Sequence, residues 1–304
     1  MEFLYFLEGL RNDFLDFLML NITRLGEEMI FIVVAMALLW CVDKYNGYYM
    51  LTVGFLGTQI NQILKVVFRI DRPWVRDPAF SPIEGAIEEA TGYSFPSGHT
   101  QSAVGSFGSI ARFTRKKWLR IVCVIICFLV PLSRMYLGVH TPADVLVSFA
   151  IATVLVFAIY PIIEKGRSNP KVMRILFGVM VAWSVAQVLF MEFFPFPAEA
   201  TGEELYSGLK NAYKMAGAVI GIPIVYELDL RFINFPTKAV WWAQLLKVVL
   251  GLGLTLAVKE ICYFVLGLFM PDLLYRAFAY LFMVLFAGAV WPLTFKYFAK
   301  LEKR

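Results

Sequence analysis

Charge, cysteine and histidine are all scarce in this chain. Only 17% of its residues are Asp, Glu, Lys or Arg, where a soluble chain carries about 25%. Sixty per cent are hydrophobic, and the mean hydropathy is +0.69. A soluble domain could not bury that much apolar surface, and a disordered chain would need far less of it. Four cysteines in 304 residues exclude a disulfide framework. There is no internal repeat, no low-complexity tract and no soluble domain. What remains is an all-α fold, a polytopic membrane helix bundle. Histidine is the scarcest resource, with His99 and His140 the only two.

The apolar residues come in runs near the ~20 that a spanning helix needs. Nine segments read this way, roughly 25–43, 47–68, 98–114, 117–136, 141–163, 172–194, 211–230, 240–269 and 272–296. The first is short, because its uncharged core from Met29 to Val42 has only 14 residues. The eighth carries Lys247, Lys259 and Glu260. Ionisable groups inside a span are costly and tend to be functional, so Lys259 and Glu260 either line a pocket or pair. Residues 1–24 place Phe3, Leu7, Leu10, Phe14 and Leu18 on one helical face, with Glu8, Arg11, Asn12 and Asp16 opposite. That pattern suits an amphipathic interfacial helix, or equally an ordinary packing helix of the bundle. It does not read as a signal peptide, because residues 1–10 hold two Glu and no Lys or Arg.

Numbering the gaps between segments alternately separates the charges. One side holds Lys44, the run Arg112–Arg120, the linker Lys165–Arg174, the segment Arg231–Lys238 and the tail Lys296–Arg304. It carries 16 Lys and Arg against 5 Asp and Glu, a net of +11. The other side holds residues 1–28, the loop around 65–97, the turn Arg134–Asp144, the loop 192–214 and the turn Asp272–Arg276. It carries 10 basic against 17 acidic residues, a net of −7. With +1 from the eighth segment, these give the formal charge of +5. Basic loops stay cytoplasmic, so the reading puts the C-terminus inside and the N-terminus outside. A pI near 8.9 then reports membrane orientation, and no nucleic-acid partner is expected.

Both histidines fall on the outer side, each at a helix start. Lys65, Arg72 and Arg134 flank them at the mouth of the bundle. Snorkelling explains any one of these cations. Three together, with no matching cluster of carboxylates, call for a bound anion, and Arg matches phosphate oxygens with a planar fork. In Pro96–His99, Ser97 is a good N-cap and Gly98 lets a ligand approach the backbone. The free N–H groups of that helix start would face an anion. Small residues from Ser102 to Ala111 suit packing inside the bundle. His140 and Asp144 lie four apart on one helix face. Asp144 can accept the Nδ1 proton and leave Nε2 free as a nucleophile, or it can simply be a helix-start charge. Cys41, Cys123, Cys127 and Cys262 lie in spans and offer no metal cluster.

The three blocks K-x6-RP (Lys65, Arg72, Pro73), PSGH (Pro96–His99) and SR-x5-H-x3-D (Ser133, Arg134, His140, Asp144) resemble the signature of the type 2 phosphatidic acid phosphatase superfamily. The eleven positions occur in order and at the expected spacing, over about a quarter of the chain. The resemblance implies a six-helix phosphatase core with extra C-terminal transmembrane helices. The layout is similar to the nine-span arrangement of glucose-6-phosphatases and sphingosine-1-phosphate phosphatases. The expected division is an amphipathic interfacial helix over 1–24, a phosphatase core with all three motifs over 25–163, and the remaining core and C-terminal transmembrane helices over 164–304.

By that resemblance His140 attacks phosphorus and becomes a phosphohistidine, and Asp144 orients it. Lys65, Arg72, Ser97, Gly98 and Arg134 bind the phosphoryl oxygens, and His99 protonates the leaving alkoxide. No metal and no cofactor are implied. The expected substrate is a lipid phosphate monoester or pyrophosphate, drawn from the surrounding membrane lipids and hydrolysed at the extracytoplasmic face. Transfer of the phosphoryl group to an alcohol and hydrolysis of a sugar phosphate are the alternatives; a transporter or inactive binding relic fits less well. Residues 76–95, a long charged loop between two motif blocks, are expected to form a mobile flap.

Overall fold

The computed structural model describes residues 1–196 and 202–301. Residues 197–201, within the loop expected over 192–214, and the last three residues of the basic tail lie outside the described residues. The described residues form helices and no strands. In chain order these are α1 (Glu2–Glu8), α2 (Asp13–Arg24), α3 (Glu28–Ala37), α4 (Lys44–Phe68), α5 (Pro73–Arg76), α6 (Glu84–Ile87) and α7 (Gly98–Phe113). There follow α8 (Lys117–Tyr136), α9 (Pro142–Ser168), α10 (Pro170–Phe193), α11 (Gly202–Leu228), α12 (Trp241–Gly267), α13 (Asp272–Leu285) and α14 (Phe295–Lys300).

Among the described residues, six helical stretches are long and apolar enough to cross a membrane: 44–76, 117–136, 142–168, 170–193, 241–267 and 272–300. A seventh appears if α2 and the helix over 28–42, which meet at 48°, count as one broken span. The nine expected segments therefore reduce to six or seven by this measure. α7 has 16 residues, about 24 Å at 1.5 Å per residue, short of the hydrocarbon thickness. It is also rich in Ser and Gly. Thr100, Gln101, Ala103, Val104, Gly105, Ser106 and Ser109 are all buried, so α7 is clad in protein and does not need an apolar surface. α11 opens with Glu203, Glu204, Lys210 and Lys214, which dilutes its apolar half.

The helices group into two compact units, residues 1–34 with 49–161, and residues 35–48 with 162–304. In the first unit helices approach through small residues, as expected where lipid supplies no hydrophobic drive between them. A Cβ on Gly57 would collide with the Gln101 side chain, so α4 meets α7 backbone to side chain. The Tyr49 hydroxyl donates to the Val156 carbonyl at 2.6 Å, which satisfies a buried polar group.

In the second unit α11 packs on α13 where Gly217 faces the Ala277 carbonyl. Lys247 is fully buried there, donating to the carbonyls of Trp40 at 3.0 Å and Thr237 at 2.9 Å. Lys259 pairs with its neighbour Glu260 at 2.8 Å, and Glu260 is exposed. Of the two readings for these residues, mutual pairing is the one found.

The N-terminal segment is two helices rather than one. The chain breaks after Glu8, and the Asn12 side chain caps α2 by accepting from Leu15 N at 3.1 Å. Leu4 and Leu7 are buried, and α1 and α2 both pack against α8. Phe3, Phe6, Phe14 and Phe17 face outward. The segment thus joins the bundle on one side and presents an aromatic surface on the other.

Candidate active site

All the motif residues lie in the first unit. α4 carries Lys65 in its last turn, and Arg72 caps α5, where Pro73 starts the helix without needing an N–H partner. Ser97 is the N-cap of α7 and accepts from Thr100 N at 3.4 Å. The Ser97 amide donates to the Asp144 carbonyl at 3.1 Å, and Asn61 Nδ2 donates to the Ser97 carbonyl at 3.2 Å. These bonds tie the second motif block to the third and to α4. Gly98 is exposed, with open space where a Cβ would stand, so nothing obstructs a ligand there.

Arg72 is almost fully buried. It donates to the carbonyls of Gly92 at 3.0 Å, Val139 at 3.0 Å and Thr91 at 2.8 Å, and its Nη1 lies 3.1 Å from His140 Nε2. A guanidinium can only donate. His140 Nε2 must therefore accept, which puts the ring proton on Nδ1. That nitrogen faces Ser94 Oγ and Asp144 Oδ2, both at 3.5 Å. Ser94 Oγ in turn donates to Asp144 Oδ2 at 2.6 Å, and the Thr141 amide donates to the same oxygen at 2.7 Å. Asp144 thus acts on the imidazole across a long contact, with Ser94 beside it. His140 is 2% exposed, and burial followed by Arg72, Arg134 and Lys65 holds its pKa well below 6.5. It is a neutral base with its lone pair on Nε2.

His99 lies 3.4 Å from Glu89 Oε2, without hydrogen-bond geometry. Burial, then Arg134, Arg72 and Lys65, push its pKa down to about 3. Arg134 is 1% exposed, donates from Nη1 to Thr23 Oγ1 at 2.9 Å, and leaves its buried Nε without a partner. Lys65 Nζ donates to the Tyr93 carbonyl.

Several positioning residues escaped sequence reasoning. Ser94, Glu89 and the carbonyls of 91–93 come from the loop expected to be a mobile flap. Part of that loop is built into the site. Its last residues hold Arg72 and Lys65, and Ala86 and Ala90 pack with Tyr136, Leu137 and Val139. Thr23 comes from α2 and Arg11 from the break between α1 and α2. Arg11 donates to the Tyr136 carbonyl at 3.1 Å, and Asp16 accepts from the Tyr136 hydroxyl at 2.6 Å. Gly138, at φ +79°, completes the turn before His140; a Cβ there would stand 2.8 Å from Arg11 Nη2 and from Phe80. Only the chemistry of Ser94, one hydroxyl two residues before the PSGH block, could have been suspected from the sequence.

Ser94→Ala should lower kcat by about 10–100-fold, the cost of one hydrogen bond to a buried charge. KM should stay unchanged, because Ser94 Oγ contacts His140 Nδ1 and Asp144 Oδ2 on the side of the ring away from Nε2. Steady-state kinetics check this, and an unaltered kcat would remove Ser94 from the account.

Among the described residues, no three His, Cys, Asp or Glu side chains gather where they could hold a metal ion. Comparison with known proteins agrees with the motif reading. Residues 45–168, which contain all three blocks, match the PAP2 superfamily. Residues 213–304 match the PAP2 superfamily phosphatase, transmembrane extension. Phosphatidylglycerophosphatase B of Bacillus subtilis is 29% identical over 171 residues, 51% of this chain and 79% of that protein. Sphingosine-1-phosphate phosphatase 1 of Mus musculus is 23% identical over 251 residues, 79% of this chain and 57% of that protein. Undecaprenyl-diphosphatase of Sulfolobus acidocaldarius is 28% identical over 154 residues, 50% of this chain and 72% of that protein. The match thus spans little more than half the length of the mouse relative. No solved structure matches. With two matched segments that together cover most of its length, and with its apolar helices, the chain is an integral multi-pass membrane protein belonging to the PAP2 superfamily of membrane lipid phosphatases.

Proposed function

We propose that this protein hydrolyses a lipid phosphate monoester or pyrophosphate through a phosphohistidine on His140. The observation that carries the reading is the contact of Arg72 Nη1 with His140 Nε2 at 3.1 Å. It places a guanidinium beside an unprotonated nitrogen, whose lone pair is freed for attack when Nη1 passes its hydrogen bond to a phosphate oxygen. A phosphoryl group held by Arg72, Lys65, Arg134, Ser97 and the Gly98 amide would stand next to Nε2. Attack forms the N–P bond and breaks the P–O bond of the ester. His99 gives its proton to the departing alkoxide. Asp144 and Ser94 then face the Nδ1–H of a cationic phosphoimidazole, which they stabilise. Water, deprotonated by His99, hydrolyses the N–P bond and restores His140. The cations stabilise the charge that builds on the equatorial oxygens.

Lipid substrates are supported by the names of the relatives, each of which acts on a lipid phosphate, and by the outward phenyl rings of α1 and α2 beside the site. The charge asymmetry of the loops favours an extracytoplasmic site, with the C-terminus cytoplasmic. The side chains that bind phosphate are themselves the cations, so turnover should be unchanged in EDTA. Colorimetric phosphate release from a lipid phosphate, with and without chelator, checks this. Full loss in EDTA would sink the mechanism.

The pH behaviour follows from His99. In the free protein its pKa lies below 6.5, so it is neutral at pH 6.5. Burial depresses it most, then the charges of Arg134, Arg72 and Lys65; an anion bound among these cations cancels the second part, and the pKa rises. Binding of vanadate, a phosphate analogue, at pH 6.5 should therefore take up a proton. Calorimetry in two buffers of different ionisation enthalpy reads the uptake directly. His99→Asn should bind vanadate without it, and equal uptake in both proteins would assign the proton elsewhere.

A further inference from the structure

A groove of about 410 Å3 runs along α7, α8 and α9, within the roughly 300–1,000 Å3 range of ligand pockets. Val104, Val124, Cys127, Phe149 and Val156 line its length, and Arg112 and Arg120 stand at one end. That end is remote from the catalytic histidines, because α7 carries Arg112 about 20 Å along its axis from His99. Both arginines are fixed in place. The Arg112 guanidinium lies 4.5 Å from the centre of the Tyr160 ring and 5.6 Å from that of Phe157. Arg120 donates to the carbonyls of Ala111 at 3.1 Å and Thr114 at 2.8 Å, at the end of α7. Among the described residues neither arginine has a carboxylate partner. Arg115, Lys116 and Lys117 stand exposed on the same turn, next to the exposed Trp118. A turn with five cations and no acid, beside an outward tryptophan, belongs at headgroup level.

We infer that this groove binds an anionic phospholipid, with an acyl chain along α7–α9 and its phosphate on Arg112 and Arg120. Such a lipid is not the substrate. Its headgroup sits at the opposite end of α7 from His99, so it points the other way. The uncompensated positive charge at the groove's end selects an anionic headgroup over a zwitterionic one, and the apolar walls require a chain. The inference does not depend on the catalytic assignment.

The test uses the full chain, purified in non-ionic detergent and equilibrated with equal phosphatidylglycerol and phosphatidylcholine. Native mass spectrometry should find phosphatidylglycerol retained over phosphatidylcholine by about tenfold or more, from two basic contacts at about 1 kcal/mol each. The double variant R112Q/R120Q should bring the two lipids close to parity. Thr153→Trp, which fills the groove, should lose both. Turnover of a short-chain lipid phosphate should be unchanged in both variants, which also reports that they fold. A preference that survives R112Q/R120Q would overturn the inference. Displacement of the retained lipid by glycerol 3-phosphate would overturn it in favour of a site for free phosphate. A raised KM for long-chain substrate in Thr153→Trp, with phosphatidylglycerol retention intact, would overturn it and give the groove to the substrate's tail.

Discussion

Replacing His140 with alanine should lower phosphate release by on the order of 10^4-fold or more, with the protein still inserted and folded. The size follows from what is lost. Without the imidazole no covalent intermediate forms, and only binding and charge stabilisation by the cations remain. The substitution removes a buried neutral ring that accepts from Arg72. Arg72 keeps its three carbonyl acceptors at Thr91, Gly92 and Val139, so the phosphate cradle should survive. Vanadate should therefore still bind His140→Ala, though more weakly. Phosphate release under single-turnover conditions is the measurement. Activity within tenfold of the parent would show that another group attacks phosphorus.

Replacing His99 with alanine should have a smaller effect that depends on the leaving group. On an alkyl phosphate the loss should be about 10^2–10^4-fold, the usual worth of a positioned general acid. On p-nitrophenyl phosphate the first step should be nearly intact, because nitrophenolate leaves without a proton. The second step still needs a base to activate water. His99→Ala should then release one equivalent of nitrophenolate per site in a burst and turn over slowly afterwards. Stopped-flow absorbance follows this directly. Equal losses on both esters and no burst would deny His99 the acid role. Glu89 Oε2 lies 3.4 Å from His99 Nε2, so Glu89→Gln is the natural companion variant.

The chemistry was more legible in the sequence than the architecture. Lys65, Arg72, Ser97, His99, Arg134, His140 and Asp144 could be picked out because the only two histidines stand near cations in a chain poor in charge, and because the three blocks resemble a family signature. The structure brings them into one neighbourhood. What holds them there carried no such signal. Thr23 meets Arg134 across 111 positions, and a threonine in an amphipathic helix looks like any other. The carbonyls of Thr91, Gly92 and Tyr93 act through the backbone, which sequence cannot mark.

Hydropathy read the long apolar helices well, since lipid-facing surfaces must be apolar. It fixed α7 and α11 less well, because a helix clad by its neighbours is free to be small and polar. The loop over 76–95 was expected to move because it is charged and rich in turn residues. Its backbone carbonyls at Thr91, Gly92 and Tyr93 are what bind Arg72 and Lys65.

The account rests on a covalent bond between phosphorus and His140 Nε2. Rapid acid-free quenching during turnover of a lipid phosphate, followed by mass spectrometry of the peptide containing residue 140, tests it most directly. The account predicts a phosphoryl adduct on His140 that forms at a rate at or above kcat and accumulates in His99→Ala with an aryl phosphate. Turnover with no adduct on His140 at any time point, or an adduct on another residue, would contradict it.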